Sequence, residues 1–174
     1  MSFFEKVKSY RKVVVNNTKD LVDKAKDTVD EASSFVKELH TNIHLFGEDK
    51  QFISSSMAVA AYVAFSDQAL DDEELKFVRN HIRTTNYGKA TDEEVLNIFE
   101  GFRKSYDEDY AEADKQCLME IEKAKGRPYA HTIVWLGALV GLCEGEIGDD
   151  EEDAISTIIE TLELDQKDFE FTEV

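Results

Sequence analysis

Proline is nearly absent from this 174-residue chain, which has one, Pro128, and only eight glycines. With so few breakers, abundant Ala, Glu and Lys, and apolar residues recurring at three and four rather than at two, an all-α helical bundle is predicted. Cysteine is scarce too. Cys117 and Cys143 fall in helical patterns far from any metal-ligand spacing, and they read as reduced core thiols rather than a bridge. No apolar run reaches the roughly 18 residues that a membrane-spanning helix needs. The longest extends from Thr132 to Cys143. The opening Met1-Ser2-Phe3-Phe4-Glu5-Lys6 lacks an apolar h-region, so no secretory signal is expected. The expected location is the cytoplasm, either free or at the inner face of the membrane.

Positive charge is the other shortage. Twenty Lys and Arg stand against 38 Asp and Glu, a formal charge of −18. Residues 1–40 hold eight basic and seven acidic residues, which leaves twelve against thirty-one for the rest. The first part is near +1 and the remainder near −19. Such a surface repels phosphate backbones, so no nucleic-acid binding is expected, and cations or basic protein surfaces are the natural partners. Chemistry-bearing motifs are also missing. There is no Glu-x-x-His, Cys-x-x-Cys, Gly-rich phosphate loop or nucleophile elbow, so no catalytic residue is assigned and a non-enzymatic protein is expected. His40 and His44 share a helical spacing but have no second pair nearby, while His81 and His131 are lone histidines in helical patterns.

What the chain does contain begins with a cationic amphipathic stretch. Phe3, Val7, Tyr10 and Val14 form one stripe among Lys6, Lys8, Arg11 and Lys12. Residues 3–14 suit either contact with an anionic membrane surface or a cap on the core. After Asn16-Asn17-Thr18, the residues Val22, Ala25, Val29, Ala32, Val36, Leu39 and Ile43 make a narrow seam. It fits packing along the domain, self-association or surface adsorption. Gly47-Glu48-Asp49-Lys50 reads as a join, which separates an amphipathic N-terminal segment, 1–46, from a helical domain, 47–174.

Within that domain a buried helix from Met57 to Phe65 is followed by one beginning at Asp71, with Leu75, Val78 and Ile82 inward. Thr91-Asp92-Glu93-Glu94 is a capping box for Val95, Ile98, Phe99 and Phe102. Tyr110, Ala113, Cys117, Ile121 and Ala124 make a further stripe, ended by Gly126 and Pro128. Asp165-Gln166-Lys167-Asp168 caps a short turn that tucks Phe169 and Phe171 onto the body.

A helix, loop, helix unit is written twice, 77 positions apart. Asp67 falls on Glu144, Leu70 on Ile147, and Asp72-Glu73-Glu74 on Asp149-Asp150-Glu151. Asp71 with Glu74, and Gly148 with Glu151, have N-cap to N3 spacing, so these carboxylates are stabilised by the helix dipole at roughly 0.3–1 kcal/mol each and need no function. Asp67 and Glu144 differ, because each ends an incoming helix, where the dipole opposes an anion. Such a carboxylate asks for a Lys, an Arg or a cation. Two readings stand: a capped, solvated turn, or a hard divalent ion, Ca²⁺ or Mg²⁺, held weakly by Asp67, Asp71 and Glu74 and by Glu144, Asp149 and Glu151. Neither copy is an EF-hand, since the twelve-residue loop and its central Gly are missing.

The unit Asp67-Gln68-Ala69-Leu70-Asp71-Asp72-Glu73-Glu74 and its partner Glu144-Gly145-Glu146-Ile147-Gly148-Asp149-Asp150-Glu151 resemble the TerB-like tellurite-resistance family. The opening Met-Ser-Phe-Phe-Glu-Lys-Val-Lys and the close Leu164-Asp165-Gln166-Lys167-Asp168-Phe169 are similar as well. The resemblance spans residues 50–171 and the first few positions. It implies a bundle of about seven helices in two pseudo-symmetric halves. It also implies a stress protein linked to tellurite or phage resistance, acting without catalysis as an acidic, metal-binding module beside membrane-associated protein partners of the same system. The family's acidic positions fall on Asp67, Glu74, Glu144 and Glu151. The chain departs from its Asp-Gly opening, with Gln68 where Gly is expected and Glu144 for Asp. The alternative function is an acidic decoy that imitates nucleic acid to occupy a basic enzyme site.

Overall fold

Capping side chains set where most of the helices begin. Asp49 accepts from the backbone N–H of Gln51 (2.8 Å) and Phe52 (3.3 Å), and Asp109 from that of Glu112 (3.1 Å). Asp71 and Glu74 form a reciprocal capping box, as do Thr91 and Glu94. Each such cap satisfies donors that the first helical turn leaves open and contributes about 1 kcal/mol. The computed structural model describes residues 2–15, 37–68, 70–144 and 147–169, the side chains of residues 10–15, 143 and 144 excepted. In chain order the helices are α1 (Phe3–Val15), α2 (37–46), α3 (Lys50–Ala64), α4 (Asp72–Thr84), α5 (Asp92–Glu108), α6 (Tyr110–Glu122), α7 (Ala130–Glu144) and α8 (Asp149–Thr161), with a 3-10 turn at Gln166–Phe169. The protein is an all-α bundle, and no strand occurs among the described residues.

Composition decides which helices go inside. α3 buries Ser55, Ser56, Ala58, Ala60, Ala61 and Ala64, small residues that let neighbours approach on several sides. It packs against α4, α5, α6, α7 and α8. α7 has no polar face, and from Ile133 to Leu142 only Trp135 is not fully buried. The two inner helices cross at Gly137, where a Cβ would stand 2.8 Å from Val59 Cγ1 and 3.4 Å from Val63 Cγ2. α3 and α7 are also the incoming helices of the sequence repeat; their contact is a fact of packing, and the duplication stays an inference from sequence.

The described parts of segment 1–46 reach this core through four buried apolar residues. Phe3, Val7, Leu39 and Ile43 belong to the same buried cluster as the inner helices. Phe3 lies 4.8 Å from Trp135 and 5.3 Å from Phe169, ring centre to ring centre, and Lys8 pairs with Glu152 of α8. The start of the cationic stripe therefore faces α7 and the C-terminal turn. Tyr10, Val14, the seam from Val22 to Val36, and Phe171 lie outside the described residues. No helix among the described residues is long and apolar enough to cross a membrane.

Candidate functional site

At the first acidic corner α3 ends at Ala64, and Phe65 closes it by donating its N–H to Ala61 and Val63 carbonyls. Ser66 adds a second lock, its Oγ donating to Val63 O at 2.7 Å. Gln68 then takes a left-handed conformation, φ 58°, which explains why a glycine is the residue expected there. The turn is pinned from α6 by Tyr110, whose hydroxyl donates to Phe65 O. Asp67 is partly buried beside that ring. Burial first, then the charges of Asp114 and Asp67, push the Tyr110 hydroxyl above the usual phenol range, so it stays a donor.

Glu74 is engaged in the cap of its own helix. Its Oε2 accepts from Asp71 N at 2.9 Å while Asp71 Oδ1 accepts from Glu74 N at 2.8 Å. At the second corner Glu151 likewise accepts from Gly148 N at 2.9 Å, and it is nearly buried in doing so. Gly148 has no side chain to return the bond, so this box is half made. Asp149 points to solvent, while the side chain of Glu144 and residues 145–146 lie outside the described set. Asp67, Asp71 and Glu74 are not gathered into a ligand cage. Among the described residues no group of three or more His, Cys, Asp or Glu is placed to hold a metal ion.

Among the carboxylates that stand in water are the first-turn residues Asp72 and Glu73 on α4, Asp92 and Glu93 on α5, and Asp149 and Asp150 on α8. No ion pair to any of them occurs among the described residues. Where the fold does use acid–base pairs it places them elsewhere. Burial resists ionisation of Glu100, but Arg79 and Arg103 outweigh it and hold the carboxyl below the normal range. Gln51 (2.8 Å) and Lys123 (2.7 Å) similarly bind the Glu120 carboxylate between α3 and α6.

Outside the corners, a groove of about 640 Å³ runs between α6 and α8. Leu118 and Met119 supply apolar surface, and Asp114, Glu122 and Glu160 are among its acidic residues. The sequence carries a sign of it: α6 has its core stripe at Ala113, Cys117 and Ile121, yet Leu118 and Met119 fall off that stripe. Comparison of the chain with protein-family models, with characterised proteins and with solved structures finds no match.

Proposed function

We propose that this protein is a non-enzymatic acidic binding module that engages a basic protein surface. The observation that carries the reading is the state of the first-turn carboxylates of α4, α5 and α8. They lie in solvent without basic partners among the described residues, while the caps that stabilise these helices come from Asp71 and Glu74, Thr91 and Glu94, and Glu151. The helix dipole stabilises such first-turn anions by roughly 0.3–1 kcal/mol each, and, standing in solvent beyond the caps, the six also make an anionic surface open to a basic partner. A role in a stress or tellurite-resistance system rests on the resemblance of the two acidic units to the TerB-like family.

Protein rather than membrane is the favoured partner. Phe3 and Val7, half of the apolar stripe that would enter a lipid surface, are already buried against the body. Calorimetric titration with poly-L-lysine, and separately with Ca²⁺ and Mg²⁺, tests the reading. Saturable binding of the polymer that weakens steeply with salt is expected. Failure to bind it at low salt would overturn the proposal, and tight stoichiometric uptake of a divalent ion would replace it with a metal site.

A further inference from the structure

We propose that the groove between α6 and α8 is the docking site for a basic amphipathic helix of a partner protein. The inference rests on the acidic-module reading and names its surface. α6 is amphipathic twice over. Ala113, Cys117 and Ile121 face the core, while Ala111, Asp114, Leu118 and Glu122 step by three and four along the side that lines the groove. Met119 beside them is 59% exposed, one of three large apolar side chains left in water among the described residues. An unbranched thioether on an open floor adapts to an incoming apolar face.

Four acidic residues, Asp114, Glu122, Glu160 and Glu163, line the groove against two basic ones, Lys115 and Lys125, and this surplus chooses the kind of partner. Asp114 is partly buried where the groove meets α3 and α5, and its Oδ1 accepts from Tyr106 Oη at 2.8 Å. Tyr106 is itself buried. Burial, then Cys117 and Asp114, raise its hydroxyl far above the usual phenol range, so it remains a proton donor that fixes this carboxylate in place. No cation pairs with Asp114 among the described residues, and none pairs with Glu160 across the groove. Lys125 is held by Glu163 at 3.0 Å, which ties the end of α6 to the end of α8. The distance along α6 from Ala111 to Glu122 is about 16 Å, room for about three turns of a partner helix. A helix with leucine or methionine on one face and Lys or Arg flanking it meets both the floor and the rim.

The test uses the full chain and a synthetic Leu/Lys peptide about 14 residues long, with its leucines on one helical face, beside a scrambled peptide of the same composition. Nuclear magnetic resonance should show one-to-one binding of the amphipathic peptide, with shifts at Leu118, Met119 and Thr161, and affinity about tenfold above that of the scrambled form. Met119→Gln and Glu160→Lys should each weaken binding about tenfold. Asp72→Asn with Glu73→Gln, on a helix that does not line the groove, should change it less than about twofold. Equal binding of the two peptides, shifts confined to the first turns of α4, α5 and α8, or a self-association interface that covers Met119 would overturn the groove proposal and leave the acidic-module reading standing. Absence of binding by either peptide at low salt would remove both.

Discussion

Two residues bear backbone conformations that their side chains disfavour. Glu163 has φ 54° just past the C-cap Leu162, and the bonds Glu163 N to Glu160 O (2.9 Å) and Leu164 N to Ile159 O (3.0 Å) complete a Schellman motif that glycine usually supplies. Glu163→Gly should therefore stabilise the protein by about 0.5–1 kcal/mol in urea denaturation, despite losing an exposed ion pair of small worth. A third residue links structure to pH. His81 has its Nε2 buried without a partner among the described residues, and burial, with His40 adding to it, lowers its pKa from 6.5 to about 4. Folding keeps the ring neutral, so below about pH 6.5 the unfolded chain binds the proton that the folded chain refuses. Stability is full above that pH and falls toward pH 4, by on the order of 2–3 kcal/mol. Unfolding curves across this range should show the slope in the parent chain and a flatter one in His81→Leu. An equal slope in both would exclude His81 as its origin.

At the scale of helices, the α3–α7 crossing is close enough at Gly137 to be sensitive to volume. Gly137→Ala places its methyl against Val59 and should cost about 1–3 kcal/mol, whereas Gly101→Ala, exposed in α5 with nothing within 4 Å, should stabilise by about 0.5–1 kcal/mol. Phe3→Ala should cost about 3–5 kcal/mol if α1 is as integral as its burial against Trp135 and Phe169 indicates. A loss under about 1 kcal/mol would mean that α1 contributes little to the body. The sequence made the helix starts legible, because Asp71, Thr91 and Asp165 sit where short acceptors must. It did not reveal where the N-terminal stripe goes, since a cationic amphipathic helix looks the same whether its apolar side meets lipid or Trp135. The left-handed turns at Gln68 and Glu163 were hidden because neither is glycine. The orientation of Glu74 and Glu151 was undecidable from spacing alone: a backbone N–H and a cation compete for the same carboxylate, and three residues of spacing serve the cap.

For the whole molecule, the arrangement separates the groups that hold the fold from the groups that carry its charge. Core burial, the caps and the Arg79–Glu100–Arg103 cluster stabilise the bundle, while most of the acidic excess stands at helix starts and along the α6–α8 groove. Carboxylates so placed repel one another, and the helix dipole offsets this only for those in first turns. Salt should accordingly help rather than harm. Raising NaCl from about 0.01 M to about 0.15 M shortens the screening length from about 30 Å to about 8 Å. The decisive measurement is the unfolding free energy across that range: a rise with salt is predicted, because surplus anions are being screened. A fall would contradict it, since the carboxylates would then already be engaged in attractive pairs and would not be available to a basic partner.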